Sequence, residues 1–92
     1  MMVYLAGKIT GTTDYHDRFA KYAQQLRWQG HSVYNPASSN QEGRSRKAIM
    51  LHLLPQLLEC EAIALIPGWY DSDGANIEYD LAEYCGLKIM EL

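Results

Sequence analysis

The chain has 92 residues, 48% of them apolar and 21% charged, with a net charge of −3. That length leaves room for one domain over residues 1–92, and the composition is that of a globular fold rather than a disordered segment. Its one basic cluster, Arg44, Arg46 and Lys47, is too short for the basic stripe of a nucleic-acid surface, though it suits a single phosphate.

No stretch approaches the roughly 18 apolar residues of a membrane span. Met1-Met2-Val3-Tyr4 runs directly into a strand pattern without a basic leader region, so a cytoplasmic protein is expected. Cys60 and Cys85 form no C-x-x-C pair, and His16, His31 and His52 are scattered. No metal or cofactor is therefore expected, and both cysteines are expected to be small, buried and reduced.

Along the chain, strands and helices alternate. Met2 to Ala6 is short, apolar and β-prone, and breaks at Gly7 and Gly11. From about Asp14 to Gln29, the spacing of Phe19, Tyr22, Ala23 and Leu26 predicts an amphipathic helix with Gly30 as its stop, and Trp28 is expected to pack near its end. His31 to Tyr34 reads as a second strand, closed by Asn35-Pro36 and followed by a polar loop over 37–43. Arg44 to Leu58 predicts a second helix with Ile49, Leu53, Leu54 and Leu57 on its buried side, kinked or restarted at Pro55. Ala62 to Ile66 is a third strand, Gly74 to Tyr84 a third helix ended by Gly86, and Leu87 to Met90 a fourth strand.

This order implies an α/β fold, a four-stranded parallel sheet covered by about three helices. Right-handed crossovers place all strand C-terminal ends on one edge, where the loops Gly7–Gly11, Asn35–Gly43 and Gly68–Gly74 converge. Ligand chemistry is expected there. The first loop, Gly7-Lys8-Ile9-Thr10-Gly11, lacks both G-x-x-x-x-G-K-[ST] and G-x-G-x-x-G, which argues against ATP or a dinucleotide. It either lets a ligand approach the backbone or is an ordinary turn and helix cap.

Glu78 carries the sharper argument. On the third helix it shares a stripe with Ala82 and Cys85, flanked by Leu81. A carboxylate on that small apolar stripe, near the helix N-terminus, is expected to be held ionised by the dipole and nearby N–H groups. Such a group suits covalent catalysis at a sugar carbon; otherwise it merely interacts with the dipole. Ser72 or Asp73 reads as the helix N-cap. Trp69 and Tyr70 form either a base-stacking platform or core and interface aromatics. Tyr4, inside the first strand, either turns its hydroxyl toward the site or is core.

The segments Val3-Tyr4-Leu5-Ala6-Gly7-Lys8-Ile9-Thr10-Gly11, Asn35-Pro36 and Cys60 through Trp69, with Gly74-Ala75 and Glu78, resemble the DUF4406 group. That group is similar to nucleoside 2-deoxyribosyltransferases and 2′-deoxynucleoside 5′-phosphate N-hydrolases. The resemblance spans nearly the whole chain in order. It implies a small flavodoxin-like or Rossmann-like three-layer fold and a site completed across a homo-oligomeric interface. It also implies a Glu nucleophile at Glu78, oriented by Tyr4, with Ser72 contacting sugar or phosphate. The loop of Gly7, Lys8, Ile9 and Gly11 would surround base and sugar, with Trp69, Asp73 and Gly74 beside it. Lys8-Ile9 stands where Pro-Met is usual, and the neighbourhood Leu51-His52-Leu53 lacks the acid proposed as proton donor in relatives, leaving His52 as a substitute. Two functions follow as expectations. One is N-glycosidic cleavage or base exchange on a deoxynucleoside or its 5′-monophosphate. The other is a non-catalytic protein that sequesters a nucleotide.

Overall fold

The structure, a computed structural model, describes residues 1–9, 11–38 and 43–92. The elements are β1 (Met2–Ala6), α1 (Tyr15–Trp28), β2 (Ser32–Tyr34), α2 (Arg46–Glu59), β3 (Ala62–Leu65), α3 (Asp73–Tyr84) and β4 (Lys88–Glu91). The strands form one sheet of order β2-β1-β3-β4 in which every neighbouring pair is parallel. The expected α/β fold with four parallel strands and three helices is what the chain adopts.

The central strands β1 and β3 are nearly all apolar and nearly all buried, as strands covered on both faces must be. Their alternation divides the core in two. Val3, Leu5, Ala62 and Ala64 pack with Phe19, Ala23 and Leu26 of α1. Tyr4, Ala6, Ile63 and Leu65 pack with Leu57 of α2 and Ala82 of α3. One helix thus covers one face and two cover the other, which makes the three layers.

Helix ends are set by local chemistry. At α1, Gly30 (φ +95°) and His31 return hydrogen bonds to Arg27 and Leu26, and at α3 Gly86 (φ +80°) and Leu87 do the same to Glu83 and Ala82. Both are left-handed glycine stops, which close carbonyls that would otherwise lack a partner. The oxygens of Ser45 and Ser72 cap α2 and α3 by accepting from the N–H groups of Ala48 and Ala75. Pro55 neither ends nor restarts α2, which is one helix through Glu59.

Three expectations need correction. Cys60 is buried but Cys85 is exposed, because it stands at the C-cap of α3 where Gly86 turns the chain toward β4. Trp28 is the last residue of α1 and lies largely in solvent rather than packing there. The segment after β2 is not wholly irregular. Asn35 accepts from the Ala37 N–H, the Ser38 hydroxyl donates to the Asn35 carbonyl, and Pro36–Ser38 form one 3₁₀ turn with Pro36 and Ala37 buried. Thr10 of the first loop, and residues 39–42 of the second, lie outside the described residues.

Candidate active site

The step from β1 to β2 runs outward across α1, and the step from β3 to β4 runs the opposite way across α3. Between β1 and β3 the connections part, leaving a crevice at the strand C-terminal ends, where open α/β sheets hold ligands. A cavity of about 590 Å³ lies there. Gly7, Lys8 and Ile9 line it after β1, and Tyr15 lines it at the start of α1. Arg44, Arg46, Ile49, Met50 and Leu53 come from α2 and its approach, and the stretch from Asp71 to Ala75 with Ile77 and Glu78 comes from the segment after β3. The volume is in the range of small-molecule sites.

The loop after β1 is fixed from both ends. Arg18 of α1 pairs with Asp14 at 2.9 Å and also donates to the Lys8 carbonyl, tying loop to helix. Thr12 donates its hydroxyl to the Ile9 carbonyl at 2.9 Å. Gly7 is a packing requirement: a Cβ there would stand 3.0 Å from Ile66 Cβ and 3.1 Å from Phe19 Cζ. On the other side, Gly74 lies against Met50 Cε, which a Cβ would approach to 3.3 Å.

Glu78 is the buried charged residue of the core among the described residues, 6% exposed, and it faces this cavity. The Tyr4 hydroxyl donates to Glu78 Oε2 from the strand beneath. Tyr4 itself is fully buried and stacks on Tyr34 of β2, with centroids 5.5 Å apart and planes 9° from parallel. Burial, with Glu78 beside it, pushes the Tyr4 phenol far above its usual range, so it stays a protonated donor.

The expected ionised state of Glu78 is not what this environment favours. Burial raises its carboxyl from 4.5 to about 7, against a smaller lowering by the Tyr4 hydrogen bond. The reason is position. Glu78 is the sixth residue of α3, beyond the four free N–H groups of the first turn, where the dipole has faded. Desolvation therefore outweighs the helix.

Of the other anticipated residues, Gly7, Lys8, Ile9, Ser72, Asp73 and Gly74 come together around the cavity. Ser72 is also the cap of α3, so its oxygen already accepts the Ala75 N–H. Gly11 is exposed and does not line the cavity. Trp69 turns into the second core, its ring 4.9 Å from Tyr79, and Tyr70 lies exposed with an edge toward Trp69. Neither aromatic faces the cavity. His52 lies exposed on α2 with Nε2 3.5 Å from the Tyr34 hydroxyl, also outside the cavity lining. The carboxyl groups that do line it beside Glu78 are Asp71 and Asp73. Arg44 and Arg46 line it as well, whereas Lys47 borders an apolar groove between α2 and α3.

Tyr15 and Met50 were not anticipated. Tyr15 follows the β1 loop directly, and Met50 sits one residue from Ile49 at the apolar face of α2; those neighbourhoods were the available signals. Among the described residues, no cluster of three or more His, Cys, Asp or Glu is placed to hold a metal. No helix there is long and apolar enough to cross a membrane.

Comparison with known proteins gives the fold's relatives and the family. No curated protein matches the sequence. The structure is similar to that of a 2-deoxyribosyltransferase from Bacillus psychrosaccharolyticus, described as a biocatalyst for the synthesis of antiviral and antitumoral nucleosides. The TM-score is 0.80 at 23% identity, over 99% of this chain and 71% of that one, which makes the fold a shared one. The model of the family "Domain of unknown function (DUF4406)" matches residues 1–91, and the chain belongs to that family.

Proposed function

We propose that the protein cleaves, or exchanges the base across, the N-glycosidic bond of a deoxynucleoside or deoxynucleoside 5′-monophosphate in the cytoplasm. The observation that carries this reading is Glu78: a carboxyl group nine-tenths buried, hydrogen-bonded by Tyr4, at the wall of a cavity of about 590 Å³. Burying a carboxyl group with one hydrogen-bond donor costs free energy, and a carboxyl so perturbed at a cleft is a functional-site candidate. The fold shared with a 2-deoxyribosyltransferase supports the choice of substrate class.

In the first step an ionised Glu78 oxygen attacks C1′ as the C1′–N bond breaks, its electron pair leaving with the base, which takes up a proton from solvent water. This forms a glycosyl ester on Glu78. In the second step water or another base attacks C1′ and gives its proton to solvent, the C1′–O ester bond breaks, and Glu78 is released as the carboxylate. Tyr4 orients the carboxylate and holds one oxygen, leaving the other for the sugar. Lys8, Ile9 and Gly7 border the base and sugar, while Ser72, Asp73 and Gly74 border the sugar from the α3 side. Arg44 and Arg46 provide charge for a 5′-phosphate.

A second copy of the chain covering the apolar groove of Met50, Leu51, Leu54, Leu58 and Leu81 is part of the same proposal, since Met50 borders both groove and cavity. Light scattering of the purified protein tests it, and a strictly monomeric protein refutes it.

Incubation with deoxynucleosides and their 5′-monophosphates, followed by chromatography for free base, tests the reaction. Release is expected from the unsubstituted protein and not from Glu78→Ala. One observation favours a nucleotide-binding role without turnover: His52, the candidate proton donor, lies outside the cavity. Nucleotides that raise Tm equally in both proteins, with no base released, would select that role.

A further inference from the structure

A nucleoside presents an aromatic base joined directly to the carbon that Glu78 would attack, so the base must lie within the same cavity. The aromatic residues beside the β3 loop do not serve it, because Trp69 is turned into the core against Tyr79 and Tyr70 lies in solvent outside the lining. Among the described residues, Tyr15 is the one aromatic side chain that lines the cavity.

Its setting is that of a firm wall. Tyr15 is the first residue of α1 and is half-buried against the first core cluster, as is Ile9 of the β1 loop. Its ring also lies against that of His16, centroids 4.1 Å apart at 33°. Ile9 and Tyr15 therefore each give the cavity apolar surface that is anchored in the core rather than free in solvent. The other elements bring other chemistry to the lining: Glu78 with Asp71 and Asp73 after β3, and Arg44 with Arg46 at the start of α2 and its approach. A ligand with an aromatic ring at one end and an anionic or hydroxylated sugar at the other matches this division.

We infer that Tyr15 is a base-binding residue, the surface against which the nucleobase packs. The inference rests on the proposed nucleoside chemistry of the cavity and names which side receives the base. Stacking on a tyrosine is sequence-tolerant, because every base has a π-face, and purines offer the larger one.

Binding of dAMP, dCMP and base-free 2-deoxyribose 5-phosphate is measured by calorimetry on Glu78→Gln protein, which cannot turn over, with and without Tyr15→Ala. Base release is followed in parallel on otherwise unsubstituted protein and on Tyr15→Ala. Tyr15→Ala is expected to weaken both nucleotides by about tenfold or more, dAMP the more, and to leave the base-free sugar phosphate within about twofold. Tyr15→Phe should restore nucleotide affinity. If Tyr15→Ala does not fold, Tyr15→Leu, which fills the space without a π-face, must give the same split. Nucleotide affinities unchanged by the substitution, or an equal loss for the base-free compound, overturn the inference while leaving base release intact. Conversely, Tyr15-dependent binding without base release from the unsubstituted protein refutes the catalytic reading alone. Absence of any nucleotide binding overturns both.

Discussion

Glu78→Gln should make the protein more stable above neutral pH while removing its chemistry. The carboxyl of Glu78 titrates at about 7 in the fold against an ordinary 4.5, because burial penalises its charged form. Between those values the folded chain holds a proton that the unfolded chain has lost. The contribution of this group to stability is thus fully present below about pH 4.5 and is lost as pH rises through about 7. At about 1.4 kcal/mol for each tenfold change in the proton equilibrium, the whole difference is about 3 kcal/mol. Glutamine keeps the shape, and its oxygen can still accept the Tyr4 hydroxyl, but it never ionises. Its amide hydrogens are less well served than a carboxyl group's single proton, which returns part of the gain, so about 2 kcal/mol at pH 8.5 is the expected net.

Urea unfolding of both proteins at intervals from pH 5 to 8.5 reads this directly, and the difference between the two curves isolates Glu78 from every other titrating group. About 1 kcal/mol moves Tm by about 4–8 °C in a domain of this size, so thermal scans suffice as well. The difference should be small at pH 5, grow in favour of Gln between pH 5 and about 7, and level off above that. A difference independent of pH would mean that folding leaves the Glu78 pKa unshifted, and one that grows in favour of Glu would mean that the fold stabilises the carboxylate; either refutes the reasoning.

The pH dependence of kcat/KM should have an acid limb near pH 7, because the nucleophile must be ionised and this parameter reports the free protein; a profile flat down to pH 5 would exclude Glu78 as the attacking group. Tyr4→Phe removes the hydrogen bond that lowers the Glu78 pKa, so it should shift that limb to higher pH and reduce kcat, both readable in the same titration. Gly7→Ala forces a Cβ to 3.0 Å from Ile66 and 3.1 Å from Phe19, and a loss of about 1–3 kcal/mol in urea unfolding is expected. Replacing Arg44 and Arg46 together by Ala should raise KM for deoxynucleoside 5′-monophosphates by about tenfold or more and spare the unphosphorylated nucleosides; equal effects on both would argue against a phosphate contact.

The fold was legible because its signals are local and repeated. Gly30 and Gly86 mark helix ends by backbone conformation alone, and the apolar spacing of Phe19, Ala23 and Leu26 names the buried side of α1. The same local logic misplaced Cys85, where the helix stripe continues in the sequence but the helix itself ends at Tyr84. Trp28 failed similarly: its aromatic bulk suggests packing, but its position at the end of α1 leaves it in solvent.

The site was legible in part, for a different reason. Segments that follow the strands converge wherever a parallel sheet forms, so the sequence alone groups Gly7, Lys8 and Ile9 with the stretch from Ser72 to Glu78. The direction in which a side chain points within such a loop depends on contacts distant in sequence. Trp69 turns to Tyr79 and away from the cavity, and no pattern around Trp69 announces that. Ionisation state is the least local property of all. Helix position by itself suggests an ionised Glu78, but its protonation is decided by how completely β1, β3 and α3 close around it. The strand beneath supplies only one hydroxyl, from Tyr4, and one donor does not replace the water that a carboxylate loses. A residue so placed destabilises the fold whenever it is charged. The same desolvation raises its basicity and leaves one oxygen without a partner among the described residues, which is the state a nucleophile needs when a sugar carbon arrives.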